Sequence, residues 1–149
     1  QSEGVSQSAT ASRKVRIVFG KPFFWPILKV LFKPEHPQHI ALAFGRRVYY
    51  EGKPSFPLLE HEVCHLRQQG FSYVGAVIWW LRWFFSKRYR YEVELEGYRV
   101  QYQTFRQVVR DKNYQNQYAR ALAEVLSGPL YGNLGTFNTA LQHITSYWH

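Results

Sequence analysis

The positions of proline divide this chain into two parts that can fold in different ways. Six of the seven prolines lie between Pro22 and Pro57, whereas residues 58–128 contain none. Since proline interrupts the hydrogen bonding of a helix interior, long helices are expected only in the second part. Hydrophobic residues make up 46% of the 149 residues, which is enough for a folded core. We expect a single domain over residues 14–149, preceded by a polar, flexible tail over residues 1–13.

The first part contains segments with the pattern of β-strands. Three runs are rich in β-branched and aromatic side chains: residues 14–20, 39–44 and 46–51. In the first run, the alternation of Val15, Ile17 and Phe19 predicts a strand that buries this face. Gly45 separates the other two runs and predicts a hairpin. The prolines in the loop between strand and hairpin leave room for a short helix only at residues 26–34.

The second part has the apolar periodicity of helices. Ser55 is a suitable N-cap for the first of them, and Gly70 ends it. Further helices are expected over four segments: residues 71–85, 88–112, 114–126 and from 136 onward. The segment 71–85 is the most hydrophobic, but it is shorter than the roughly 20 apolar residues that span a membrane, so we expect a buried or interfacial helix. Strands first and helices afterwards indicate an α+β fold.

The first helix carries the sequence HEVCH, which is an instance of the pattern H-E-x-x-H. Four residues on a helix place His61 and His65 on one face, one turn apart, where both can bind a single Zn²⁺. Glu62 then lies on the neighbouring face and can act as a general base on water activated by the cation. Five residues of this kind also occur by chance, so two helix histidines without a metal remain the alternative interpretation.

A third ligand is expected from the helix over residues 88–112. Three glutamates are available there: Glu92, Glu94 and Glu96. At about 100° per residue, Glu94 falls between two apolar stripes, while the other two lie among surface arginines that can pair with them. A carboxylate in an apolar arc needs a partner, and zinc held by His61 and His65 would supply one. Gly97, one turn further on, leaves space for a close crossing of the two helices.

An H-E-x-x-H helix followed by a helix with an inward glutamate resembles the gluzincin class of zinc metallopeptidases. The short chain and the preceding hairpin also resemble the minimal gluzincins and the small H-E-x-x-H proteins of phage genomes. In this class the ligand glutamate is followed three positions later by a small residue, as Glu94 is here by Gly97. The resemblance implies a zincin-like core in which His61, His65 and Glu94 bind Zn²⁺ and Glu62 is the base and proton shuttle.

The same resemblance implies that the reaction is hydrolysis of a peptide bond in a peptide or protein substrate. An edge strand of the hairpin would pair with the extended substrate. Thermolysin-like members carry an aspartate where this chain has Tyr98, so the residues that orient the ligands differ from that pattern. Tyr98 is a candidate to stabilise the transition state or to orient a ligand, and Tyr91 and Tyr102 are further candidates.

Charge and aromatic content leave several partners open. The net charge of +9 favours acidic partners, but no nucleic-acid-binding motif accompanies it, so nucleic acid is not expected. Contact with an anionic membrane or the cell envelope stays possible on this basis. One segment combines aromatic and basic residues: Trp79, Trp80, Arg82, Trp83, Lys87, Arg88 and Arg90. It could form a core helix, a membrane-interface helix or a docking face in a protein assembly.

The same sequence features are compatible with a second function. The chain could be a structural or docking protein of a larger assembly, such as a phage virion, that retains a peptidase-like fold.

Cys64 is the only cysteine, which excludes a disulfide within these residues and a zinc site built on several thiolates. We expect it to be a small buried residue. No segment resembles a signal peptide, and virion-associated and cytoplasmic locations both stay open.

Overall fold

A computed structural model describes residues 15–26, 41–52 and 55–146. Within these residues the chain is α+β, as expected, with a three-stranded sheet followed by five helices. The strands are β1 Arg16–Phe19, β2 Ala41–Phe44 and β3 Arg47–Tyr50. The helices are α1 Phe56–Gln68, α2 Tyr73–Phe85, α3 Lys87–Val108, α4 Lys112–Leu126 and α5 Phe137–Thr145, with a 3₁₀ turn at Pro129–Tyr131. The tail and most of the segment expected to hold a short helix lie outside the described residues.

The sheet has the order β1-β3-β2, and the predicted hairpin is confirmed. β2 and β3 are antiparallel around Gly45, whose φ of 65° requires the left-handed conformation that glycine adopts easily. The side chains of Val48 and Tyr50 are buried against Leu66 of α1. The Gln69 amide then fixes the end of α1 beneath the hairpin, because it accepts from the Gly45 amide (2.7 Å) and donates to the Ala43 carbonyl (3.0 Å).

The prediction that β1 buries the face of Val15, Ile17 and Phe19 is wrong. Ile17 is 41% exposed and Phe19 is 75% exposed. β1 is an edge strand that pairs, within the described residues, with β3 alone. Alternation of apolar residues shows that a strand has two distinct faces, but only the packing of other elements decides which face is covered.

The helical part follows the prediction, and the largest shift of a boundary is at the end of α3. α3 ends at Val108 rather than at Lys112, because Asp111 accepts from the Asn113 and Tyr114 amides and thereby caps α4. The N-cap predicted at Ser55 is confirmed by the Leu58 amide, which donates to its hydroxyl. The tryptophans of α2 are buried in the main core with residues from α3, α4 and α5, which confirms the core interpretation for those side chains: Trp79, Trp80 and Trp83.

Candidate metal centre

The crossing of α1 and α3 brings three polar side chains to one point in the interior. His61 Nε2 and His65 Nε2 lie 2.9 Å apart, and Glu94 Oε2 lies 3.1 Å from the former and 3.2 Å from the latter. The three residues are only 4%, 4% and 7% exposed. The structure therefore joins the three residues that the sequence singles out as ligands, and they form a His-His-Glu group that could hold a metal ion.

The spacing of these atoms fits a metal ion. Ligand atoms bound to one tetrahedral Zn²⁺ lie about 3.3 Å from each other, given bond lengths of about 2.0–2.1 Å. The three observed separations, 2.9 to 3.2 Å, are within a few tenths of an ångström of that value. Two imidazoles and one carboxylate are also a donor set typical of zinc sites that retain an open coordination position. The residues present therefore fit zinc.

Gly97 makes this crossing possible, as its position predicted. A β-carbon at this position would lie 2.8 Å from His61 Nε2 and 2.9 Å from Cε1 of the same ring. Contacts shorter than about 3.0 Å force a neighbouring atom to move, and the neighbour here is a candidate ligand. The absence of a side chain at Gly97 thus sets the distance between α3 and the imidazole.

The electrostatics of the group favour a positive charge at its centre. Burial opposes protonation of His65, but the Glu94 carboxylate outweighs it and raises the pKa of His65 to about 9. Burial also opposes ionisation of Glu94, yet the two imidazoles hold its pKa well below the ordinary value. For His61, burial is the largest cause and lowers the pKa. A cation that replaces the proton of His65 would be stabilised by the same carboxylate.

Gln68 orients His65, and this residue was not anticipated from the sequence. Its Oε1 lies 3.0 Å from His65 Nδ1 and also accepts from Trp79 Nε1 at 3.0 Å. Its Nε2 donates to the Val93 carbonyl and to Glu96 Oε2, both at 3.1 Å. An acceptor on Nδ1 leaves Nε2 free to face a metal ion. The spacing of three residues from His65 on the same helix is a signal that could have indicated this role.

Trp83 holds the second carboxylate oxygen of Glu94. Its indole Nε1 donates to Glu94 Oε1 at 3.1 Å, so Oε2 alone points at the two histidines. The Arg90 guanidinium lies over the Trp83 ring at 4.4 Å and donates to its carbonyl. No sequence signal indicated this contact, because it depends on how α2 crosses α3.

The other two glutamates of α3 behave differently from each other. Glu92 is exposed and pairs with Arg88 at 3.0 Å, which confirms the predicted surface ion pair one turn apart. Glu96 is exposed as well, but it accepts from Gln68 and so touches the network that orients His65. Cys64 is buried, which confirms the prediction of a small buried residue, and burial raises the pKa of its thiol to about 12.

Glu62 and Tyr98 lie beside the three candidate ligands. Glu62 is 6% exposed, and burial raises its pKa to about 8, although the positive charge of His65 opposes this. The Tyr98 ring packs edge-on against His61 with 4.7 Å between centroids, and its hydroxyl lies 3.2 Å from that of Tyr131. Burial raises the pKa of both phenols. Tyr131 belongs to the 3₁₀ turn and was not anticipated from the sequence.

We expect Gln68→Leu to weaken zinc binding about 10- to 100-fold, since loss of such an orienting acceptor typically costs this much. Competition with a chromophoric chelator measures the affinity. Gln68→Glu keeps an acceptor for His65 Nδ1 and should restore most of the binding. Arg67→Leu changes the exposed neighbour on the same helix and serves as the control. Equal affinities of Gln68→Leu and wild type would contradict the orienting role.

A scan of protein-family models, a search of curated proteins and a search of solved structures find no match to this chain.

Proposed function

We propose that this chain is a zinc-dependent peptidase that resembles gluzincins and has a zincin-like core. The observation that carries the proposal is the convergence of His61 Nε2, His65 Nε2 and Glu94 Oε2 within 3.2 Å, together with a buried Glu62 carboxyl that interacts electrostatically with His65 and Glu94. When bound, Zn²⁺ would supply a Lewis acid that polarises a carbonyl and makes water more acidic.

In this proposal Glu62 takes a proton from water and later delivers it to the leaving amine. Its carboxyl needs the ionised form to accept that proton. Burial disfavours this form, whereas the positive charge at His65 favours it, so charge on the ligand side helps to prepare the base. The Tyr98 hydroxyl, on a partly buried ring that packs against His61, is the candidate donor to a developing negative charge.

The sheet offers a surface for an extended substrate. β2 is at one edge of the sheet order and, within the described residues, pairs with β3 alone. α1 packs beneath the hairpin through Leu66 and through Gln69, which bonds to the turn and to β2. An extended peptide could add by backbone hydrogen bonds only to the part of this edge before Ala43, because the Ala43 carbonyl already accepts from Gln69 (3.0 Å) and from Trp80 Nε1 (3.1 Å).

We expect Glu62→Gln to bind one equivalent of zinc but to lose peptide hydrolysis by about 10²- to 10⁴-fold in kcat, since glutamine cannot accept the proton. Elemental analysis measures the metal, and cleavage of a quenched fluorescent peptide library measures the activity. Glu60→Gln, one residue before the motif, is the matched control and should keep activity. A Glu62→Gln variant with full activity, or a wild type that takes up no zinc after reconstitution, would overturn the proposal.

The second candidate is a structural or docking protein of an assembly such as a phage virion. The observation in its favour is the low exposure of the whole site, at 4% to 7% for His61, Glu62, His65 and Glu94. A buried site of this kind could hold a metal ion for stability alone. Stoichiometric zinc that raises the melting temperature, together with no hydrolysis of any peptide tested, would favour this function over the peptidase.

A further inference from the structure

Helix α2 has an exposed apolar face that the site does not use. The side chains on this face are 49% to 86% exposed. They are Tyr73, Val74, Val77, Ile78, Leu81 and Phe85. At about 100° per residue they occupy an arc of about 140°, whose centre is about 140° from the centre of the buried arc that contains the three tryptophans. A helix that is apolar on both sides has one face in the protein core and a second face that needs another apolar environment.

The apolar face continues beyond the helix onto the sheet. The Tyr73 ring packs over Gly45, and its centroid lies 6.0 Å from that of Phe44. Phe44 in turn contacts Phe23 at 5.8 Å, and Phe23 is 77% exposed. Tyrosine and other aromatic side chains at the border of an apolar surface are typical of groups that lie at the level of lipid headgroups.

Basic residues lie around this apolar face. Residues 71–91 contain four basic side chains and no acidic one, within a chain of net charge +9. Arg82 and Lys87 are exposed in the last turn of α2 and just after it, and so is Arg88, which pairs with Glu92. At the other end of the helix the exposed Arg46 donates to the Phe71 carbonyl at 3.0 Å. Such a distribution complements a negatively charged surface that is apolar inside.

The dimensions of α2 suit a helix that lies in the plane of a membrane surface. Thirteen residues extend about 20 Å, whereas the hydrocarbon core is about 30 Å thick. Among the described helices, none has the length and apolar content needed to cross a bilayer. The outward face of α2 can be buried in the acyl chains only if the helix axis is parallel to the surface.

We propose that the outward face of α2, extended by Phe44 and Phe23, binds the surface of an anionic lipid bilayer. The aliphatic side chains enter the acyl region, and the basic residues at both ends contact lipid phosphates. This inference does not depend on a metal ion or on peptidase activity. If the chain binds lipid in this way and also has the proposed peptidase activity, its substrates are peptides or proteins at the membrane surface.

Flotation of the full chain with vesicles tests whether the apolar side chains on the outward face of α2 contribute to lipid binding. We expect binding to vesicles of equal parts phosphatidylcholine and phosphatidylglycerol at low salt, and weaker binding to phosphatidylcholine alone. The double variant Val77→Asp, Leu81→Asp should lower partitioning at least about tenfold. The matched control is Val125→Asp, Leu134→Asp, because these two residues have the same exposures, 49% and 52%, as the first pair. It should change partitioning less than about twofold.

A second pair of variants tests the charge. Arg82→Gln with Lys87→Gln should lower binding to the anionic vesicles about 30-fold at low salt, the amount that two basic contacts with an anionic surface contribute. The control, Arg110→Gln with Lys112→Gln, removes the same charge at a distance from α2 and should have less effect. Failure of the wild type to bind anionic vesicles overturns the proposal, and so do equal effects of test and control pairs.

The alternative partner for the outward face of α2 is a second copy of this chain. Sedimentation velocity over a range of concentrations would then show a dimer that the Val77→Asp, Leu81→Asp variant abolishes, while vesicles bind nothing. That result would assign the face to self-association and reject lipid binding.

Discussion

Glu94→Gln is expected to lower the affinity for zinc at least about a hundredfold while leaving the helical content unchanged. Structural zinc sites bind with about 10–16 kcal/mol through four ligands, so each ligand contributes on average about 2.5–4 kcal/mol. The Glu94 oxygen contacts both imidazoles, and its loss removes the charge that draws a cation into a buried site. Isothermal titration with zinc at neutral pH measures the effect.

The same variant should change how the stability of the metal-free protein depends on pH. The pKa of His65 is raised to about 9 in the folded state against 6.5 as its ordinary value. Its contribution to the free energy of unfolding is therefore fully present below pH 6.5 and is lost as pH rises through 9. Without the Glu94 carboxylate this loss should be smaller. Glu62, with its raised pKa, acts in the same direction, and the Glu94 charge contributes to raising that pKa, so the difference between the two proteins measures the effect of Glu94 on both groups.

Glu92→Gln is the matched control for this prediction. It is on the same helix, is exposed, and pairs only with Arg88 at the surface among the contacts described. Exposed pairs contribute about 0–1 kcal/mol, so neither zinc affinity nor the pH profile should change measurably. If Glu92→Gln and Glu94→Gln weakened zinc binding equally, a general effect of charge on α3 would explain the result and the assignment of Glu94 as a ligand would fail.

The position of Glu94 could be predicted because a helix has a fixed period. Apolar stripes on both sides of Glu94 show that its side chain points inward, and burying a carboxylate without a partner is energetically costly. The two histidines follow from the same geometry on α1. These inferences need only the local conformation of each helix. Their convergence at 2.9 to 3.2 Å depends on the crossing, for which Gly97 was the one sequence signal.

Other features could not be predicted because they arise between elements that are separate in sequence. Trp83 meets Glu94 only after α2 turns back onto α3, and Tyr131 reaches Tyr98 from a turn 33 residues away. The exposed face of α2 has a related cause. Its sequence is apolar on both the core face and the outward face, so periodicity alone cannot tell one from the other.

Gly97→Ala is expected to disrupt the metal site through a single methyl group. The added carbon would lie 2.8 Å from His61 Nε2, and the ring is confined by Tyr98 on one side and His65 on the other. Either the ring rotates out of the group or α1 and α3 separate. We expect a loss of about 1–3 kcal/mol in unfolding free energy, as for other overpacked interiors, and zinc affinity lower by at least about tenfold.

A double-mutant cycle with His61→Ala distinguishes this contact from a general effect of alanine on α3. If the methyl group acts by displacing the imidazole, Gly97→Ala should cost little in a protein that already lacks the ring, and alanine's higher helix propensity could even raise stability there by up to about 1 kcal/mol. Urea denaturation of the four metal-free proteins gives the coupling energy. Additive effects would mean that Gly97 does not act through His61, and the close crossing would then need another explanation. A strong coupling would instead show that the space left by Gly97 is what allows the His61 ring to face His65 and Glu94.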